Sequence, residues 1–210
     1  MVKAKRGKGK VKDRWREKRW LMVEAPQSFG GMVLASIPTT NPEKAIGKVL
    51  ETTLFDLLKQ DPHQYAIKLF FQVTKVEGDR ALTILKGQEY SRDYLRSLVR
   101  RGSSMVNMIR DYTTIDGFKV RVYVVAFTQF KINSSRKHAT REVAHKVVSE
   151  KASNMTYDQF AQEVVYGKMA SDILNEARKV IQIRHVGVRK IKIMAIGKPE
   201  IKVEQVAQAS

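Results

Sequence analysis

The stretch 111–128, DYTTIDGFKVRVYVVAFT, decides the fold class. Two long runs that read as strands flank Ile115-Asp116-Gly117-Phe118. An Asp-Gly pair between such runs marks a β-hairpin, expected here with a type I′ turn. In the second run Phe118, Val120, Val122 and Val124 fall on one face, and Lys119, Arg121 and Tyr123 on the other. Alternation with period two is the signature of a strand with one covered face.

Working upstream, Ile67, Leu69, Phe71 and Val73 alternate with Lys68, Phe70, Gln72 and Thr74. A turn at Glu77-Gly78-Asp79-Arg80 leads into ALTILKG, which gives a second hairpin. Earlier still, WLMVEAP and MVLASI read as two short strands within residues 20–37, parted by Pro26, Gly30 and Gly31. Trp20 is expected to be the first core anchor. Residues 41–58 stay ambiguous. Asn41-Pro42 suits a helix start, with Ile46, Val49, Leu50, Thr53 and Leu54 at helical spacing, yet VLETTLF also alternates tolerably as a strand. Between the hairpins, Ser91 caps a short helix lined by Tyr94, Leu95, Leu98 and Val99 and ended by Gly102.

Downstream the period changes. Residues 135–152 read as a helix with Ala139, Val143, Ala144, Val147 and Val148 on its apolar side. Thr156-x-x-Gln159 forms a capping box for a second, lined by Tyr157, Phe160, Ala161, Val164 and Val165 and stopping at Gly167. A third spans about 168–180, and 181–196 returns to strand. Strands and helices are segregated rather than alternating. The expected fold is α+β: a mainly antiparallel sheet, twisted or partly barrel-like, with a cluster of about three helices and a basic, disordered N-terminal tail. Residues 1–19 are the basic tail, 20–196 one domain, and 197–210 a polar C-terminal tail.

Charge points to the partner. The first nineteen residues carry ten basic side chains: Lys3, Lys5, Arg6, Lys8, Lys10, Lys12, Arg14, Arg16, Lys18 and Arg19. Only Asp13 and Glu17 oppose them. A block of like charge with so little to bury stays extended until a polyanion neutralises it. Nucleic acid is the natural one, because counterion release drives the association. The whole chain is net +18, so the other 191 residues are themselves about +10. A membrane surface fits less well. The tail has no apolar stripe, Val2 stands where N-myristoylation requires glycine, and no run approaches a spanning helix. The start also lacks the apolar region of a secretory signal.

A catalytic reading does poorly. The chain has no cysteine, which removes disulfides, thiolate metal sites and cysteine nucleophiles together. His63, His138, His145 and His185 have no metalloprotease spacing. His138 and His145 are seven apart on one helix, but two ligands are too few for a metal, and a solvated basic face explains them more simply. Gly7-Lys8-Gly9-Lys10 lacks the spacing of a phosphate loop and the strand before it. Asp56, Asp61, Asp111 and Asp116 sit at turns or strand ends, where turn chemistry accounts for them. No cofactor, metal or small-molecule substrate is expected.

The surviving signals are basic. Arg100 and Arg101 close a helix, where complementing the dipole and touching phosphate are equally compatible readings. Arg136, Lys137, Arg141 and Lys146 crowd one helix and its start, and on so basic a chain they favour RNA over a merely solvated face. Arg184, Arg189, Lys190 and Lys192 decorate the last strand, with Lys190 and Lys192 sharing a face opposite Ile191 and Ile193. Trp15 is placed to stack on a base. No RNP aromatic pair, KH loop or zinc finger is present, so residues alone lead to a basic, non-enzymatic, nucleic-acid-associated α+β protein.

Five segments carry a resemblance: KDRWREKRWLMVEAP (12–26), GKVLETTLFDLL (47–58), TILKGQEYSRDYLRSLVRR (83–101), the 111–128 hairpin and IRHVGVRKIKIMAIGKP (183–199). In this order they resemble the "S three a" family of small-subunit ribosomal proteins of archaea and eukaryotes. The resemblance runs from about residue 10 to 199. It implies a structural constituent of the small subunit in the cytoplasmic ribosome. It further implies a place on the platform near the mRNA exit and the 3′ end of the rRNA, in contact with rRNA and neighbouring ribosomal proteins, with mRNA near the exit as a further partner. It implies that 47–56 is a strand, and it offers no catalytic residues. Without the long C-terminal extension of eukaryotic members, the chain looks like the archaeal form. The competing readings are a free RNA chaperone or ribosome-assembly factor, and a nucleic-acid-modifying enzyme, which would need a convergent acid–base or metal site.

Overall fold

The computed structural model describes residues 15–195. The N-terminal basic residues Lys3 to Arg14 and the polar C-terminal tail expected at 197–210 lie outside them. The chain begins with β1 (Arg19–Glu24), β2 (Val33–Thr39) and β3 (Val49–Thr53), followed by the short helix α1 (Leu54–Leu58). Then come the hairpin β4 (Ile67–Glu77) and β5 (Arg80–Tyr90), α2 (Arg92–Leu98), and the hairpin β6 (Met105–Thr113) and β7 (Lys119–Thr128). Three helices, α3 (Ser134–Asn154), α4 (Tyr157–Val165) and α5 (Lys168–Arg178), precede the final strand β8 (Ile183–Ala195).

All eight strands join one sheet, in the order β2-β1-β5-β8-β7-β6 with a branch β5-β4-β3. β5 is where the sheet forks. Its outer edge pairs with β4 throughout, while its other edge pairs first with β1 and then with β8. Among the described residues only the β1–β5 pairing is parallel. The sheet is mainly antiparallel, as expected, but it does not close into a barrel: β2, β3 and β6 remain edges.

Helix α2 lies against one face of the sheet, over Val125 and Phe127 of β7, while α3, α4 and α5 cover the other. Leu69, Phe71 and Leu85 meet Val120, Val122 and Val124 there, under Val148, Phe160, Val164 and Ile173. Phe71 and Phe160 are fully buried, each worth about 1.5–3 kcal/mol in transfer from water. A smaller cluster of Leu21, Val23, Ala45, Val73 and Ala81 fills the β1–β4 end. Lys151 draws the three helices together, its Nζ donating to Glu163 at 2.6 Å and to Asp172.

Several local expectations are corrected. The 111–128 hairpin lacks a type I′ turn. Such a turn needs positive φ at both central residues, and here only Gly117 has it, at 76°. Gly117 N–H donates to Thr114 O and Thr114 N–H to Phe118 O, the three-residue loop of a type I turn with a glycine bulge. Asp116, freed from a positive φ, accepts from the Tyr157 N–H at 2.9 Å and so ties the turn to the start of α4.

Residues 47–56 are not one strand, nor is 41–58 a helix. β3 stops at Thr53, whose hydroxyl caps α1 in a capping box with Asp56. The hydrogen bonds from the Thr53 hydroxyl and N–H hold the Asp56 carboxyl below its usual range. Asn41-Pro42 does start a helical turn, but only a 3-10 turn of four residues. Helix α2 ends at Leu98, not at Gly102, and Val99 is exposed rather than lining its apolar face. Trp20 is no core anchor: Leu21 and Val23 point inward, so the alternation leaves Trp20 63% exposed.

Candidate nucleic-acid interface

The face of the sheet opposite α3, α4 and α5 is cationic, and it is assembled from six strands. The inward phase of Leu69 and Phe71 leaves Lys68 and Phe70 outward on β4. Across β3–β4, Glu51 stands opposite Phe70, and Glu51 accepts from Lys68 Nζ at 2.6 Å. Across β5–β8, Glu89 stands opposite Lys190 and accepts from its Nζ at 2.7 Å. Across β7–β8, Tyr123 stands opposite Lys190 and Arg121 opposite Lys192. On β6, Asp111 faces Arg121 and accepts from its Nε and Nη2 at 2.6 and 2.8 Å. The Arg121 hydrogen bond holds the Asp111 carboxyl below its usual range and raises the guanidinium in turn.

The register of β7 and β8 shifts between Tyr123 and Val124. This irregularity swings Arg189 onto the same face, where its guanidinium lies 4.8 Å over the Tyr123 ring and donates to the Tyr123 hydroxyl at 3.1 Å. Asp93 of α2 borders this face, and on the strands themselves Lys68, Lys86, Lys119, Arg121, Arg189, Lys190 and Lys192 stand against three carboxylates, Glu51, Glu89 and Asp111. Phe70, Val49 and Gly87 line a shallow groove of about 230 Å³ between Lys86, Lys190 and Lys192. Each carboxylate is spent on one cation. Among the described residues, Lys86, Lys119 and Lys192 have no ion-pair partner. A surface of this kind, cationic with half-exposed aromatic rings, offers phosphate contacts and stacking together.

The sequence-predicted cations divide into several groups. Arg189, Lys190 and Lys192 belong to the outer face, although Lys190 is half engaged by Glu89. Arg16, Lys18 and Arg19 stand at the head of β1, where Lys18 Nζ sits 3.6 Å over the Trp15 ring and Trp15 is 63% exposed. Arg100 and Arg101 are exposed, but they lie in the turn beyond α2 instead of closing the helix. The four cations of α3 do not form one patch. Arg136 is exposed near the start of the helix, and Lys146 points away from the core. Arg141 is committed to the fold, its Nε donating to Asn107 O of β6 at 3.0 Å. Arg184 is likewise structural, donating to Leu98 O at the end of α2.

The histidines are scattered. His145 Nδ1 lies 3.0 Å from the Tyr112 hydroxyl, so it is part of the α3–β6 contact rather than of a solvated face. Burial pushes the Tyr112 phenol up to about 12, which keeps it protonated. Among the described residues no group of three or more His, Cys, Asp or Glu side chains is placed to hold a metal. None of their helices is long and apolar enough to cross a membrane. Sequence reading missed Lys68, Lys86, Lys119, Arg121, Phe70 and Tyr123 as interface residues. Their outward phase was visible, but their meeting depends on the pairing of β3, β4, β5, β8 and β7.

Comparison with known proteins decides the family. The model of the ribosomal S3Ae family matches residues 6–196. The chain belongs to this family. S3Ae relatives align over nearly their whole length. The small ribosomal subunit protein eS1 of Desulfurococcus amylolyticus is 46% identical over 190 residues, covering 90% of this chain and 89% of that protein. The protein of the same name from Saccharolobus solfataricus is 42% identical over 202 residues, covering 96% of each. That of Saccharolobus islandicus is 41% identical over the same span. The chain is an S3Ae protein of the archaeal form.

Proposed function

We propose that this S3Ae chain is a structural, non-enzymatic constituent of the small ribosomal subunit, held there by rRNA. The observation that carries the proposal is the family match over 6–196, to relatives named as small-subunit proteins. The cationic outer sheet face supplies the physical means. In this reading the basic residues of 1–19, Arg100, Arg101, Arg136, Lys137, Lys146, Arg189, Lys190 and Lys192 contact phosphate, with Trp15 stacking on a base. Arg141 contributes by fixing α3. The domain spanning 20–196 acts as a unit between the two tails. Neighbouring ribosomal proteins are further partners, and the proposed location is the platform of the cytoplasmic ribosome, near the mRNA exit and the rRNA 3′ end, a reading that the family resemblance supports.

The competing reading, a free chaperone or assembly factor, predicts transient association. Sedimentation of subunits through a high-salt wash separates the two. A constituent stays with the subunit in stoichiometric amount. Release into the supernatant, with the subunit otherwise intact, would reject the proposal.

A further inference from the structure

A second basic cleft lies away from the outer sheet face. It has a volume of about 380 Å³ and runs between the loop after β7, the start of α3 and the end of α5. Phe130, Lys131, Arg136, Arg178 and Lys179 line it, and no carboxylate is among the lining residues. Lys179 is engaged by Glu176 at 2.7 and 2.9 Å. Among the described residues Lys131, Arg136 and Arg178 have no ion-pair partner. Arg178 also complements the C-terminal dipole of α5, but that does not account for Lys131 and Arg136. The first turn of α3, which opens on this cleft, carries no acidic side chain.

The aromatic ring is the second observation. Phe130 is 62% exposed, yet the loop that carries it is pinned on both sides. Buried Thr128 accepts from Ser104 N–H at 2.9 Å and donates its hydroxyl to Phe130 O at 2.6 Å. Gln129 N–H donates to Gln182 O at 3.1 Å, and Ile132 N–H to Ser104 Oγ at 3.2 Å. The fold thus holds a hydrophobic ring in water, at the wall of a cleft with three uncompensated cations. A polyanion without flat groups would use the cations and waste the ring. A nucleotide uses both, since every base has a face to stack and every linkage a phosphate.

We infer that this cleft binds a single-stranded RNA segment, with a base stacked on Phe130 and the adjoining phosphates on Lys131, Arg136 and Arg178. The inference rests on the RNA-binding reading above and adds a site to it. Immobilising the loop beforehand lowers the ordering cost of binding. The occupant is an unpaired stretch, because stacking on a side chain requires a base out of its helix.

The test is an amide-resonance titration of the full chain with hexauridylate and, separately, with polyphosphate of equal charge. Hexauridylate should shift residues 129–134 and 178–182 along one saturable curve, at least about fivefold tighter than polyphosphate, the lower end of one stacked base. Phe130→Leu should remove that preference and leave the cation-dependent binding. Arg136→Gln with Arg178→Gln should weaken both ligands. Both variants alter exposed side chains, and an unchanged spectrum elsewhere verifies their fold. Hexauridylate binding that shifts other residues but not these overturns the inference while sparing the RNA-binding reading. Equal affinity of Phe130→Leu and the parent for hexauridylate also overturns it. So does a glutamate-rich peptide that shifts these residues when RNA does not, which would make the cleft a protein-docking surface. No RNA binding anywhere on the chain overturns both readings.

Discussion

Replacing Gly87 with Ala puts a methyl group where β8 crosses β5. A Cβ at this position falls 2.2 Å from Ile191 O, 3.2 Å from Ile191 C and 3.3 Å from Lys192 Cα. All three are backbone atoms, so no side-chain rotation relieves the clash. Ordinary contact begins at 3.4 Å, and β5 and β8 must therefore part by about 1.2 Å. Their ladder has only three residue pairs, Gly87–Lys192, Gln88–Ile191 and Glu89–Lys190. Losing two or three ladder hydrogen bonds costs about 2–3 kcal/mol at roughly 1 kcal/mol each. Alanine returns up to ~1 kcal/mol by restricting the unfolded chain. The net loss is about 1–3 kcal/mol, a fall in Tm of roughly 3–10 °C for a chain of this size. Gly78→Ala is the control. Its φ of 61° is strained for alanine, but nothing lies within 4 Å, so its loss should stay near ~1 kcal/mol. Thermal and urea unfolding followed by circular dichroism read both. A Gly87→Ala midpoint within ~2 °C of the parent would refute the close crossing of β5 and β8.

Other expectations follow from the same geometry. Burial, then the nearby Arg184 charge, pushes the His185 imidazole below 6.5, and its buried Nε2 has no hydrogen-bond partner among the described residues. The folded chain keeps this ring neutral while the unfolded chain protonates it, so stability should fall as pH drops below about 6.5. His185→Phe should flatten that limb of a stability–pH curve, and identical limbs would exclude His185 as the cause. Lys119→Gln with Lys192→Gln removes two outer-face cations that have no ion-pair partner among the described residues. Stability should stay within ~0.5 kcal/mol while the salt slope of rRNA binding drops by about 1.4, at ~0.7 per lost phosphate contact. An unchanged slope in filter binding would take RNA off this face. Deleting residues 1–14 removes seven basic side chains and one acidic one. If about six cations neutralise phosphates, the slope should fall by roughly 4, a difference of two to three decades between ~50 and ~200 mM salt. Equal slopes for the full and shortened chains would show that this segment does not touch phosphate.

The elements with strong local signals were legible in the sequence. Alternation placed β4, β5 and β7, and Gly167 and the Thr156–Gln159 box bounded α4, because these signals arise within a few residues of chain. The errors have tertiary causes. Asp-Gly allows more than one hairpin turn, and the demand for Asp116 at the start of α4 is invisible from within 111–128. Trp20 and Leu21 are both apolar, and only the pairing of β1 with β2 and β5 shows which of them faces inward. Arg141 and Arg136 look alike as sequence, yet one bonds Asn107 O and the other lines an open cleft. The outer face was the least legible feature, since Lys68, Lys119 and Lys192 meet only after a sheet that forks at β5 has formed.

A density map of the assembled small subunit, resolved to side chains, decides whether rRNA holds this chain by its outer sheet face. This chain should be present in stoichiometric occupancy, with rRNA phosphates within ~4 Å of the cationic groups of Lys119, Arg189 and Lys192. A subunit in which this chain is present but its outer sheet face meets only bulk solvent or protein would contradict that reading.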